Sequence, residues 1–486
     1  MQATPVTIEC DISQGLPQCT IVGLPDTAVQ EARERVRAAI KAAGFAFPRT
    51  RITINLAPAH IKKRGNQFDL PLALAILSAA GEIPPIPNTL FVAGELGLDG
   101  SIRALRGALP LAISATECAP DGCIMPAENA DDISALDTGK RFVAHTLREV
   151  IEHIQQTHRL PELELRAWEP DADPIVSVDI AHVIGQSLAK RGLEIAAAGG
   201  HHVLLHGPPG TGKSMLAKSA QGLLPPLTQP EWIEMSKIYS AGGLGSPARV
   251  RPFRAPHHST TPIALLGGGN PLRPGEISYA HRGVLFLDEF PEFPRAVIEG
   301  LREPLEEHQL LVSRAQGTML MPANCMLIAA LNPCPCGSTD TEGSSCMCSP
   351  AVRERYVRKI SGPIQDRFDI IVRVNRLSED EYADPHPREP SQSVRERVSR
   401  AREQQYARFG SGITNAMVPD PRLLQDGLFS PESITLFERA MNTHRFSMRR
   451  FKRLLRVART IADLAAHKTV EASHAQEALC YREQVK

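Results

Sequence analysis

Aromatic side chains are scarce, at 5% of 486 residues, and there is no excess of either charge: 54 Lys+Arg face 54 Asp+Glu. That balance excludes a supercharged chain, and 42% hydrophobic residues exclude a wholly disordered one. It does not exclude nucleic acid, which local patches bind. Long hydrophobic runs are also missing. The longest, Leu70–Ala80, falls well short of the roughly 20 residues that cross a bilayer, so no membrane partner is expected. Met1–Val6 carries neither a basic nor an apolar leader pattern, and ten cysteines over this length do not read as a disulfide scaffold. A cytoplasmic location is the expectation. What the chain does have is 40 prolines, which imply many loops and sharp helix stops, and enough length for about three domains at about 150 residues each.

Residues 1–165 alternate strand and helix patterns. Arg51–Leu56 alternates as a half-buried strand does. Asp26 is placed to cap a helix that runs to Ile40, with Val29, Ala32, Val36 and Ile40 on one face. Leu160–Pro174 is acidic and Pro-rich, and reads as a linker. A second α/β region follows, spanning 166–378. After another break at Glu379–Pro390, the remainder to 486 reads as helices. The fold class is therefore α/β, with a helical domain at the end.

The second region carries the chemistry. His202–Leu205 is a short apolar strand that runs into Gly207-Pro208-Pro209-Gly210-Thr211-Gly212-Lys213-Ser214-Met215. The spacing fits a phosphate-binding loop, whose glycines turn backbone N–H groups toward phosphate oxygens at a helix N-terminus. Lys213 would bridge the β- and γ-phosphates of ATP and Ser214 would ligand Mg²⁺. Gly283–Glu289 reads as a buried parallel strand that delivers two acids at its end. Asp288 would complete the Mg²⁺ shell, and Glu289 would orient the attacking water. Cys325–Asn332 is a third apolar strand ending in an amide, which places Asn332 to touch the γ-phosphate or the attacking water.

The order of these motifs resembles that of AAA+ ATPases. Arg251–Ser259, Gly267–Pro271, Pro274–Ile277 and Ala280–Val284 narrow the resemblance to the magnesium-chelatase-like branch and, within it, to the YifB/ComM family. It covers nearly the whole chain. It implies a Lon-protease-like α/β domain, an AAA+ P-loop core with a parallel sheet, and an α-helical lid. It further implies that Gly185 and Gln186, in Asp179–Gln186, lie against the adenine. Arg367 matches an arginine finger offered to a neighbouring subunit, and Arg449 a second sensor. A finger acting in trans implies a closed homo-hexameric ring.

In the amino-terminal domain, the stretch that carries the nucleophile of proteolytic relatives is Lys63–Leu70, with Gln67 at the nucleophile's place. Leu109 stands near the place of the dyad lysine. With neither nucleophile nor base, no covalent catalysis follows. The chain begins late relative to the family pattern, which implies that a first strand is missing. A basic run remains, Arg49 and Arg51 with Lys62, Lys63 and Arg64, which is either a solvated face or a contact for DNA phosphates or a neighbouring subunit.

Further DNA-contact candidates are Arg251 and Arg254, on an insert that also holds His257 and His258, and Arg314 near the tip of a hairpin within Leu310–Met319. A metal at the two histidines is disfavoured, since no carboxylate or Cys stands at ligand spacing. His444–Arg459 holds seven Lys/Arg and no acid, which favours a phosphate on its basic side. Cys334, Cys336, Cys346 and Cys348 form two Cys-x-Cys pairs. They suit a structural Zn²⁺ site, with a redox disulfide or free thiols as alternatives.

The expectation is thus an ATP-driven motor on single-stranded and branched DNA, a helicase promoting branch migration when incoming DNA recombines during natural transformation. A protein remodeller or chelatase-type chaperone is the second reading.

Overall fold

The computed structural model describes residues 4–134, 136, 139–164, 168–170, 178–270, 272–314, 317–336, 346–378, 381, 388–424, 427–444 and 447–482. The chain forms two compact units, residues 1–169 with 239–247, and residues 170–238 with 248–486.

In the first unit, β1 (Thr7–Ser13), β2 (Gln18–Val22) and β3 (Arg51–Ala57) form a sheet in the order β1-β3-β2. In it β1 runs antiparallel and β2 parallel to β3. Helix α1 (Thr27–Ala42) starts where Asp26 accepts a hydrogen bond from the Val29 amide at 3.0 Å. Val29, Ala32, Val36 and Ile40 are buried, as their spacing predicts. The apolar run became α2 (Asp69–Ala79), a core helix whose buried Asp69 is held by Arg35 at 2.7 and 2.9 Å. A parallel sheet of β4 (Leu90–Val92), β5 (Gly122–Pro126) and β6 (Arg141–Ala144) completes the unit's α/β character.

In the second unit, helix α3 (Ser187–Gly199) leads to β7 (Val203–His206), and helix α4 (Lys213–Leu223) follows it. Strands β8 (Phe253–Arg254) and β9 (Val284–Leu287) come next. The hairpin β10 (Gln309–Arg314) and β11 (Gly317–Pro322) precedes β12 (Met326–Leu331) and β13 (Ile370–Arg373). The main sheet runs β8-β9-β12-β7-β13, and every pair in it is parallel. Strands β7, β9 and β12 are buried along their whole length, which explains why they read as unbroken apolar runs. Because the strands are parallel, their C-terminal ends deliver residues 207–214, 288–289 and 332 to one edge.

Helix α5 (Pro304–Glu307) precedes the hairpin, and the carboxyl-terminal helices include α6 (Ser391–Phe409), α7 (Met448–Leu464) and α8 (Ala472–Cys480). Leu454, Leu455, Ala458 and Ile461 of α7 enter the same apolar cluster as Val203 and Ile370 of the sheet. The basic side of α7 is not free. Arg450 pairs with Asp366, Lys452 and Arg456 with Asp420, Arg453 with Asp369, and Arg459 with Asp463. The expected phosphate-seeking surface is corrected to a set of ion pairs within the chain, whose acids come from other segments except Asp463, which lies on α7 itself. Among the described residues, no helix is long and apolar enough to cross a membrane.

Candidate functional site

The loop between β7 and α4 has an open cradle. Gly210 and Gly212 adopt φ of +78° and +89°, where L side chains are strained, and among the described residues no heavy atom lies within 4 Å of a Cβ added at either. A Cβ at Gly207 would collide with the Val374 carbonyl. The Thr211 hydroxyl donates to the Pro208 carbonyl at 2.9 Å and closes the turn. Lys213 is buried. Its ammonium donates to the carbonyls of Gly207 (2.8 Å) and Pro208 (2.7 Å) and to Asn332 Oδ1 (3.2 Å). Burial lowers its pKa, and the nearby Asp288 opposes the fall.

Ser214, in the first turn of α4, donates to Asp288 Oδ2 at 2.7 Å. Hydroxyl and carboxylate oxygens side by side are the hard donors that Mg²⁺ prefers, so the pair fits that ion. Asp288 Oδ1 accepts from the Glu289 amide at 2.9 Å. Glu289 adopts φ of +50°, which turns the chain directly after β9. Its half-exposed carboxylate lies 3.1 Å from His258 Nδ1. The His258 ring in turn stacks on His257 at 4.0 Å, and His257 Nδ1 is fixed by the Ser259 hydroxyl at 2.8 Å. Sequence spacing found no carboxylate for these histidines, because this one comes from the adjacent strand.

Gly185 and Gln186 both adopt positive φ. The Gln186 amide donates to the Asn375 carbonyl at 2.6 Å, which holds this stretch at the chain leaving β13. Met215 is exposed on α4. Lys213, Ser214, Asp288, Glu289 and Asn332 therefore meet at one sheet edge. Arg367 and Arg449 do not join them. Arg367 precedes the N-terminal end of β13 and pairs with Glu306, which Arg449 also contacts at 3.0 Å.

Comparison with known proteins agrees with this geometry. Residues 8–129 match the family described as subunit ChlI of Mg-chelatase, 179–382 match magnesium chelatase, subunit ChlI, and 388–482 match its C-terminal part. The chain is 41% identical to YifB of Salmonella typhimurium across 99% of its length and 95% of that protein. It is equally similar, at 41%, to the competence protein ComM of Haemophilus influenzae, over 100% of this chain and 96% of that one. Rv2897c of Mycobacterium tuberculosis is 40% identical, over 98% and 95%. The chain belongs to the magnesium-chelatase-like YifB/ComM family. Its loop, strand acids and five-stranded parallel sheet are those of an AAA+-type ATPase.

Family membership does not rescue every expected contact. Arg251 is buried. Its guanidinium bonds the carbonyls of Pro225, Pro226 (3.1 Å) and Arg282 (2.7 Å) and the Glu231 carboxylate (2.9 Å), so it braces the core and cannot reach DNA. Arg254 is partly exposed but clamped by Glu276 at 2.6 and 2.8 Å. Lys63 is corrected in the same way. It is buried, with its ammonium on the Pro58 carbonyl, while Lys62 and Arg64 stay exposed. The side chain of Arg314 falls outside the described residues. Gln67 donates to the Arg64 carbonyl at 2.7 Å, and Leu109 is buried.

The four clustered cysteines come together although their connecting segment, 337–345, lies outside the described residues. Sγ atoms of Cys334, Cys336 and Cys346 stand 3.2 to 3.8 Å apart, and all four thiols, Cys348 included, fall within 4.8 Å of one another. A tetrahedral zinc with bonds of about 2.3 Å would set its sulfurs about 3.8 Å apart, so the thiols suit that ion.

Proposed function

We propose that this protein is an ATP-driven DNA motor that assembles as a homo-hexamer in the cytoplasm and promotes branch migration during recombination of incoming DNA. The observation that carries the reading is the convergence of Lys213, Ser214, Asp288, Glu289 and Asn332 at one edge of the parallel sheet. The likeness to a competence protein supplies the biological direction.

In this reading, Lys213 and the loop amides bind the β- and γ-phosphates, while Ser214 and Asp288 would hold Mg²⁺, whose charge would offset that of the phosphates. Glu289 takes a proton from the attacking water, and Asn332 positions it. Arg367 acts as a finger on the nucleotide of the neighbouring copy, Arg449 serves as a second sensor, and the Gly185–Gln186 turn packs on the adenine. There is no covalent intermediate; catalysis is by positioning and electrostatics. Residues 1–165 serve as an inactive Lon-like platform, 166–378 as the nucleotide-binding core and 379–486 as the lid. Zinc on the four cysteines pins the segment that begins two residues after Asn332. Metal analysis of the purified protein should then find about one zinc per chain, lost in Cys334→Ser; a zinc-free protein with free thiols sinks that part.

The second reading is a remodeller acting on a protein client. It gains from the burial of Arg251 and Lys63 and from the internal pairing on α7, which shrink the exposed basic surface. Branch migration of a three- or four-stranded junction separates the two. Wild-type protein should move the junction with ATP, and Lys213→Ala and Glu289→Gln should not. Normal ATP turnover with no junction movement, at a rate that DNA leaves unchanged, would favour the client.

A further inference from the structure

Two arginines from distant parts of the second unit share one carboxylate. Arg367 lies at the turn before β13 and Arg449 in the first turn of α7. They take separate oxygens of Glu306, Arg367 on Oε2 and Arg449 on Oε1. The cations around them are matched one to one elsewhere: Arg450 with Asp366 at 2.7 Å, Arg453 with Asp369 at 2.7 Å, and Arg302 with Glu299 at 3.0 Å. Glu306 instead carries two cations on one anion, as Asp420 does for Lys452 and Arg456.

Arg367 is also incompletely bonded. It is only 4% exposed, yet its Nε and Nη1 have no hydrogen-bond partner among the described residues. Buried donors left unmade are costly, and a buried guanidinium normally finds acceptors for its whole fork. Burial lowers its pKa, Glu306 opposes the fall, and Arg449, Arg453 and Arg302 add to it. The cluster is thus built to receive more negative charge, and more acceptor oxygens, than one carboxylate supplies.

The chain's own nucleotide cannot supply them. Strands β7 and β13 are parallel and in register, Val203 beside Ile370 and His206 beside Arg373. The phosphate-binding loop follows one end of this pair and Arg367 precedes the other, so four residues, about 13 Å of strand, separate the two edges.

We propose that Glu306 is a latch, a positioning residue that holds Arg367 and Arg449 as one anion-receiving pair until the terminal phosphoryl group of a nucleotide on a second copy of this chain displaces it. The inference rests on the ring reading above and adds a residue to it. Two free guanidinium groups at this spacing would repel, and the carboxylate keeps them aligned. A terminal phosphoryl group offers three oxygens and more charge, enough to engage both forks and the idle donors of Arg367. Assembly then responds to ATP and not to ADP, which lacks that group.

The test uses the full chain. Sedimentation against protein concentration is run with a non-hydrolysable ATP analogue and with ADP, and ATPase rates are measured in parallel. Glu306→Gln keeps the shape and removes the competing charge. With the analogue, its assembly midpoint should fall by about threefold, the scale of one partly exposed ion pair. In ADP it should not move. Glu306→Asp, which keeps the charge, should behave as wild type, and the shift should vanish in an Arg367→Ala background. An unchanged midpoint with the analogue overturns the latch, as does an equal shift in ADP. If wild type assembles but hydrolyses no ATP, the motor reading fails while the sedimentation comparison still decides Glu306.

Discussion

Glu289 sits in the left-handed region at the end of β9 with His258 on its carboxylate, so two constraints fix where that carboxylate points. Glu289→Gln should bind ATP normally and lose about a hundredfold or more in kcat, in line with removal of a general base. His258→Ala should lower kcat by about tenfold with little change in KM, because a base loses its aim before the substrate loses its contacts. An ATPase titration checks both; a KM effect alone in the histidine variant would assign His258 to binding. The acid at this site was legible because it ends an apolar strand, and strand ends are where parallel sheets place chemistry. His258 was not, since it stands 31 residues away and only the pairing of β8 with β9 brings it close. Arg251 misled for a related reason. Its acceptors are mostly backbone carbonyls, which every sequence has and no pattern reveals.

Helix α7 shows the same division one level up. Its apolar face follows from helical spacing: Leu454, Leu455, Ala458 and Ile461 are buried and Phe451 is partly buried against the same cluster. The opposite face was misread because the acids that neutralise it, Asp366, Asp369 and Asp420, belong to other segments. Near its end, Asp463 and Arg459 are both fully buried, and Asp463 also accepts from Arg408 (2.7 Å) and Asn415 (2.8 Å). Removing the anion leaves a buried arginine short of its counter-charge. Asp463→Ala should therefore cost about 3–5 kcal/mol in urea unfolding. A loss below about 1 kcal/mol would mean that the carbonyls around Arg459 suffice without it.

For the whole molecule, acid sensitivity follows from His202, buried where β7 begins. Its Nδ1 accepts from the Leu327 amide at 3.2 Å, and burial pulls its pKa down to about 4, against the opposing pull of Asp369. The folded state keeps this ring neutral where the unfolded chain, titrating near 6.5, takes a proton. Stability therefore falls as pH drops from about 6.5 to about 4, by on the order of 3 kcal/mol, and is unaffected by this group above that window. Urea midpoints at pH 7.5 and 5 should show it, and His202→Gln should flatten the difference. The parallel sheet has a further consequence. The 207–214 loop and Arg367 occupy its opposite ends, so each proposed interface has a direction, giving on one side and receiving on the other. Two dead proteins can then make a live one. In an equal mixture of Lys213→Ala and Arg367→Ala subunits, roughly a quarter of the junctions join an intact loop to an intact finger, and turnover should reappear in a mixture whose separate components have none.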